Sequence, residues 1–378
     1  MSTSTAKHPD PWDPIHSLES YGRHKLTSVE LTVTNLCNMR CEHCAVGDAL
    51  VNRDGDKLPL TLVLKRLEEV DGLTSLSLTG GEPSFSRETI DTTLLPLLRY
   101  AKERGLKTQI NSNLTLDLER YELMAPYLDV LHITFNYSGP DDFHSIGFGH
   151  SGREVSRAAS DKLYGNLLRN ARALSDGGVF VSAETMINYR TWNQLSAIHR
   201  SVAELGCKRH EVHPMYPSAF AASLPALPLE RMKEAIRQLL ADRNPAVWLL
   251  FGTLPFFACS SDDDDLVLLG ELRKAPNVTV RNDPDGRNRL NVSLFTGDIR
   301  VTDFATVPPL GNIQTHRLNE VFDLWLQHEL ARSVSCHCPA AACCGPNLLV
   351  ADMYYKGTDF TKRNARVEAE DSAKALLG

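Results

Sequence analysis

The chain has 378 residues, 42% hydrophobic and 23% charged, with a net charge of 40 − 47 = −7; this is the make-up of a globular protein with room for one large α/β domain and a smaller appendage. The mild acidity argues against a nucleic-acid surface, which would gather positive charge, and no run of eighteen apolar residues is present to span a bilayer. Nine cysteines, an odd number, in a sequence whose first residues carry no apolar signal region, point to a cytoplasmic protein whose thiols are reduced or ligate metal rather than form a disulfide framework.

Residues 1–27 read as a polar, extended lead-in. From residue 28 short apolar runs alternate with amphipathic segments, the pattern of βα units around a parallel sheet. Strands are expected near Val29–Thr34, Ser75–Thr79, Lys107–Asn111, Val130–Phe135, Val179–Met186 and Arg209–Met215. Helices are expected at Leu60–Val70, Ile90–Arg104, Asp161–Ser175, Thr191–Leu205 and Leu229–Leu240, with Thr191 and Gln194 spaced as a capping box. The six strands fit a partial barrel and a doubly wound sheet equally. After about residue 220 the alternation lapses into Pro- and Gly-bearing segments, among them Asp262–Asp265 and Asn282–Gly286, with a helix around Leu318–Leu330. This stretch holds five of the cysteines, a composition that metal ligation could hold together. The division expected is a lead-in, 1–27, a barrel, 28–220, and a cysteine-bearing C-terminal region, 221–378.

The first strand runs into Cys37-Asn-Met-Arg-Cys41-Glu-His-Cys44. Three thiolates in one tight loop can hold three irons of a [4Fe–4S] cube and leave the fourth open to a small ligand. Zinc would ask for a fourth protein donor, here His43, and usually uses paired C-x2-C units. Asn38, Arg40 and Glu42 make the loop too polar for three packing cysteines.

This C-x3-C-x2-C loop after a first strand resembles the signature of the radical S-adenosylmethionine (SAM) superfamily, with His43 where an aromatic residue is usual. The second strand ends in Gly80-Gly81-Glu82-Pro83, similar to the family's GGEP motif, a turn that the resemblance assigns to the SAM amino group. Gln109, Asn111, Thr134, Asn136, Ser182, Glu184, His213 and Met215 stand at the ends of the next four strands, the edge on which parallel barrels build their sites. The resemblance implies an α/β fold, a partial (β/α)6 TIM-like barrel. It also implies reductive cleavage of SAM at a [4Fe–4S] cluster on Cys37, Cys41 and Cys44, fed by an external electron donor of flavodoxin or ferredoxin type. The radical formed would take hydrogen from a peptide or protein side chain, or from a small metabolite.

The tail carries Cys336-His-Cys338 followed by Cys343-Cys344. Its C-x-C-x4-C spacing resembles the YfkAB-type radical SAM proteins and the loop-rich SPASM and twitch extensions that hold an auxiliary cluster. Thr302 stands where the SPASM pattern has a cysteine. The resemblance suggests a second Fe–S cluster on Cys336, Cys338 and Cys343 with Cys259 as fourth ligand, Cys344 competing for that place; a zinc ion on the same thiolates, with His337, is the alternative. Cys344 and Cys207 are the candidate hydrogen donors outside both clusters.

Overall fold

Strong periodicity in the first 215 residues becomes regular structure almost as read. The computed structural model describes residues 10–152, 154–215, 221, 224–302, 307–338 and 341–360; the ends of the expected lead-in and C-terminal region lie outside them. Strands β1 (Ser28–Thr34), β2 (Ser75–Gly80), β3 (Lys107–Ser112), β4 (Val130–Thr134), β5 (Val181–Ile187) and β6 (Arg209–Pro214) pair in parallel, each with the next. Right-handed crossovers of this kind put helices on one face of the sheet and leave the other to line a lumen. The helix side is apolar: Leu76, Leu78, Ile110, Leu131, Ile133 and Ala183 are buried against Leu94, Leu97, Leu98, Leu167 and Ile198.

The sheet is wider than the sequence suggests. β7 (Trp248–Gly252) and β8 (Val278–Arg281) continue it in parallel beyond β6, and the helices Leu229–Asp242 and Asp263–Lys274 precede them. β9 (Arg289–Ser293) returns to pair in parallel with β1, and β10 (Asp298–Arg300) and β11 (Gly311–Asn312) add antiparallel strands outside it. The expected lapse of regular structure after residue 220 is therefore corrected. Asp262, read as part of a loop, is the N-cap of the helix Asp263–Lys274, its side chain accepting from the Asp264 N–H. Its neighbours Asp263, Asp264 and Asp265 fill the first turn, where carboxylates meet the positive end of the helix dipole. The polar lead-in also needs correction: Ile15–Tyr21 is helical, and Asp10 and Trp12 are buried.

Thr191 does not cap a helix. Its hydroxyl accepts from the Asn188 N–H at 3.1 Å and also donates to the Met186 carbonyl, closing the turn after β5, while the helix Leu195–Glu204 starts with Gln194 making no side-chain cap bond. Behind β5 and β6 two imidazoles stack. The Asn244 N–H donates to His199 Nε2 at 3.0 Å, so His199 Nδ1 carries the proton and gives it to His210 Nδ1 at 2.9 Å. His210 Nε2 is then left to donate to Thr185 at 2.8 Å. Both rings are neutral in this arrangement. Burial pushes His199 down to about 4 and His210 well below the ordinary range. In the unfolded chain both bind protons below about pH 6.5, so the folded state loses stability as pH falls from there towards 4. The urea midpoint at pH 5 should lie below that at pH 7, by less in His199→Gln; an equal difference in the variant would place the effect elsewhere.

Candidate active site

The chain leaves β1 at Thr34 and turns into the cysteine loop. Arg40 folds the loop from within, its Nη1 donating to the carbonyls of Cys37 at 2.9 Å and Met39 at 2.8 Å. The Arg40 and Glu42 N–H groups, each 3.0 Å from a carbonyl of Gly147 or Ile146, strap it to the helix Pro140–Gly147. Asn113 reaches over from the end of β3, donating to Asn38 Oδ1 at 2.9 Å and approaching Cys37 Sγ at 3.8 Å, while the Met39 N–H lies 3.4 Å from that sulfur. The thiols of Cys37, Cys41 and Cys44 lie close enough to influence one another's ionisation. Burial pushes Cys37 up to about 12 and raises Cys41 and Cys44 as well. Such thiols stay protonated until a metal supplies positive charge.

Gly80 and Gly81 bring the end of β2 against this loop. The Gly81 N–H donates to the Thr34 carbonyl at 2.8 Å and the Glu82 N–H to the Leu36 carbonyl at 2.7 Å. A Cβ at Gly80 would collide with the Thr34 carbonyl oxygen and one at Gly81 with that of Leu36, and Gly80 has a φ of +145°. Both positions thus require glycine. Glu82 is 0% exposed: its carboxylate accepts from Ser84, Ser112 and the Asn113 N–H, bracing the β2 turn against β3. Pro83 follows it, buried.

The lumen is lined with polar groups. His213 Nε2 lies 2.6 Å from one oxygen of Glu184 and His132 Nε2 3.5 Å from the other. Burial alone would raise Glu184, but the two imidazoles hold it well below the usual carboxylate range; burial would lower His213, and the Glu184 hydrogen bond raises it. From His132 the network continues through Ser182 (3.1 Å) to Arg209 (2.7 Å) and, at 4.0 Å, to Asp10 of the lead-in. Arg281 binds Asp10 at 2.6 Å and also pairs with Glu211, and Trp12 donates to Ser77 at 2.9 Å. Asn136 Oδ1 accepts from the Met186 N–H at 2.7 Å, which leaves its amide nitrogen to donate to His43 Nε2 at 3.2 Å. The proton of His43 is then on Nδ1, a buried donor with no partner. With Nε2 accepting from Asn136 and the proton on Nδ1, His43 presents no lone pair for a zinc knuckle in this arrangement.

Of the strand-end residues singled out in the sequence, Glu184, His213 and Asn136 join the lumen network. Gln109 and Asn111 share one face of β3, 2.8 Å apart, and Thr134 stands opposite Glu184 in the β4–β5 register. Ser182 lies deeper, fully buried between His132 and Arg209, and Met215 is buried with its sulfur against Asn188. His132, Arg209, Glu211, Arg281 and Asp10 were missed. His132 shares the period-two alternation of Thr134 and could have been found; Asp10 and Arg281, 271 positions apart, leave no local signal.

The second cysteine group is gathered from distant segments. Cys338 and Cys343 form a two-residue antiparallel bridge, the Gly345 N–H lies 3.4 Å from Cys343 Sγ, and the Cys343 thiol feels those of Cys336, Cys259 and Cys338. Cys259 stands on the turn between β7 and the helix Asp263–Lys274, with Phe257, Cys338 and Cys343 in one small apolar cluster. Cys344 faces Asp13, Arg287 and Asp283 as well as Cys343, and His337 Nδ1 lies 3.2 Å from the Cys343 carbonyl. Cys207 is buried in the main helix–sheet core, beside Ser175. No pair of the nine cysteines forms a disulfide. Among the described residues no three His, Cys, Asp or Glu side chains converge on a single-ion site; thiolates of a cube bind separate irons and need not share one ion.

Known proteins resemble this chain in sequence and in fold. Residues 31–200 match the radical SAM superfamily model and residues 215–365 a YfkB-like domain model. The Bacillus subtilis (strain 168) protein YfkA is 54% identical over 358 residues, 94% of this chain and 96% of that protein. Streptococcus suis SuiB bound to S-adenosylmethionine shares the fold with a TM-score of 0.58 at 16% identity, over 89% of this chain and 74% of SuiB. So does anSMEcpe with bound AdoMet and a peptide, TM-score 0.55 at 15% identity, over 93% and 99% of the two chains. Among the described residues no helix is long and apolar enough to cross a membrane. The chain is therefore an enzyme of radical chemistry that works with a [4Fe–4S] cluster and SAM, and it belongs to the radical SAM superfamily, in one family with YfkA.

Proposed function

We propose that Cys37, Cys41 and Cys44 hold the SAM-binding cluster, and that the polar lumen below them receives a peptide or protein side chain from which hydrogen is removed. When bound, cluster and SAM supply a 5′-deoxyadenosyl radical through one-electron reduction of the sulfonium by a flavodoxin- or ferredoxin-type donor. The chain's part is positional. Gly80 and Gly81 offer backbone at close range for the methionine amino group, and Glu82 keeps their turn rigid. Gln109, Asn111, Thr134 and Asn136 present amides and a hydroxyl, and His43 Nδ1 is a buried donor that a ligand can satisfy. Glu184 between His132 and His213 is the lumen's charged floor, and Ser182 orients His132 from beneath. Met215 borders the same edge. Cys259, Cys336, Cys338 and Cys343 are the ligand set for a second Fe–S cluster; Cys344, turned to Arg287, stands outside it and is a candidate hydrogen donor. This divides the work between a lead-in, 1–27, the six βα units of 28–220, and a C-terminal region, 221–378, that extends the same sheet and carries the second cysteine group.

The observation that carries the reading is the meeting of the thiol loop and the Gly-Gly turn on the edge where β1 and β2 end. A peptide is favoured as substrate because the fold is shared with SuiB, solved with its precursor peptide SuiA, and with anSMEcpe, solved with a peptide. The test is anaerobic incubation of the iron-loaded protein with SAM and a strong reductant, then with deuterated candidates. Deoxyadenosine should form, and it should gain deuterium from a peptide. Deuterium gained only from a small metabolite would overturn the substrate class; no deoxyadenosine at all would overturn the cluster assignment.

A further inference from the structure

Cys259 stands on the turn between β7 and the helix Asp263–Lys274, whereas Cys336, Cys338 and Cys343 lie some eighty residues later, so something must fix the turn that carries Cys259. Lys233, on the helix Leu229–Asp242, is only 2% exposed in its side chain, and its Nζ lies 2.7 Å from Asp265, 2.9 Å from Asp262 and 3.2 Å from Asp264. Asp265 in turn accepts from the Ser260 hydroxyl at 2.6 Å, and that hydroxyl accepts from the Asp262 N–H at 3.1 Å. Lys233 also stands 6.0 Å over the ring of Phe256, and the Ser260 N–H donates to the Phe257 carbonyl at 2.9 Å. Every residue from 256 to 265 that meets this ammonium thus lies within six positions of Cys259. On the far side the Tyr355 hydroxyl donates to the Pro255 carbonyl at 2.6 Å, and Arg273 donates to the Ala341 carbonyl at 2.9 Å, between Cys338 and Cys343.

We propose that Lys233 is a positioning residue for the second cluster: by drawing Asp262, Asp264 and Asp265 together it sets the Ser260 turn and holds Cys259 opposite the three tail cysteines. This rests on the ligand set proposed above. The physical reason is that three carboxylates in one helical turn repel one another, and a buried ammonium with three donors is what lets them share a small volume. Removing it frees Asp265 from Ser260, and the Cys259 thiol loses its fixed place. Groups that orient metal ligands in this way cost about 10–100-fold in metal affinity when replaced.

The experiment compares the full-length wild-type protein with Lys233→Met, Lys233→Arg, Ser260→Ala and Cys259→Ala, each reconstituted with iron and sulfide. Readouts are iron per chain under a chelator and the electron paramagnetic resonance signal of the second cluster. Lys233→Met should lose the second cluster's iron to chelator about 10–100-fold more readily, Lys233→Arg should restore it, and Cys259→Ala should lack that signal. Ser260→Ala cuts the same link without stripping a buried charge, so it decides the matter if Lys233→Met does not fold. Second-cluster iron held as in wild type by Lys233→Met and Ser260→Ala, with Cys259→Ala still deficient, would overturn the clamp and leave the ligand set standing. A full complement of iron in Cys259→Ala would overturn the ligand set itself, and the clamp with it.

Discussion

Cys41→Ala should abolish formation of 5′-deoxyadenosine from SAM and strip the chain of one cluster's iron. Cys41 is the middle thiol of the loop, half-buried and influenced by both Cys37 and Cys44 and by Tyr137. With it gone, two thiolates separated by six residues of polar loop must grip three irons, and His43 Nε2 is already taken by Asn136. Asn113→Ala is the control that separates ligation from tuning. Asn113 touches Cys37 Sγ only at 3.8 Å and its side chain chiefly orders Asn38, so its loss should shift the cluster's potential and slow cleavage within the roughly 10–100-fold that supporting groups command. Loss in Cys41→Ala no greater than in Asn113→Ala would mean that Cys41 is not a ligand. Iron analysis and single-turnover cleavage under one reductant make the comparison.

What could be read directly was local. The cysteine loop and the Gly-Gly turn are each written in consecutive residues, and their partnership follows because parallel strands deliver successive loops to one edge. The six βα units were legible for the same reason: Leu94, Leu97, Leu98 and Ala101 recur at helical spacing, and the strands between are short apolar runs. β7 escaped because Val247–Gly252 is a brief apolar run beyond Asn244-Pro245 in a region dominated by turn residues. β9 escaped because its partner β1 precedes it by some 260 positions in the register Ser28↔Arg289. The Asp262–Asp265 run looked like solvated loop, since nothing in it reveals that Lys233, 29 residues earlier, neutralises it. The lumen network failed to show for a related reason: Asp10, Arg209, Glu211 and Arg281 are ordinary charged residues in sequence, and only closure of the sheet brings them into mutual contact. Cys259 was named over Cys344 on likeness of pattern alone, and both stay near the group: Cys259 influences Cys343, and Cys344 lies between Cys343 and Arg287.

Glu82→Gln should destabilise the apoprotein itself, before any cofactor is bound. The GGEP turn invites the expectation that its carboxylate serves the ligand, yet each oxygen of Glu82 already receives a backbone N–H, from Ser84 at 3.1 Å and from Asn113 at 2.7 Å, along with the hydroxyls of Ser84 and Ser112. Burial pushes Glu82 up while these donors pull the other way, and the net shift is upward; the fixed N–H on each oxygen still leaves no place for a second proton-bearing group. Glutamine has the same shape but must set its NH2 against one of those two amides, leaving a buried donor unsatisfied and a charge-assisted hydrogen bond lost. That costs about 2–3 kcal/mol. Urea denaturation of cluster-free protein at neutral pH should show the loss in the midpoint, with an unchanged slope. Because the turn also carries Gly80 and Gly81 against Thr34 and Leu36, SAM affinity should fall with it. If instead the apoprotein unfolds as wild type while SAM binding collapses, the carboxylate must leave its pocket to meet the ligand, and the bracing role assigned to it here is wrong.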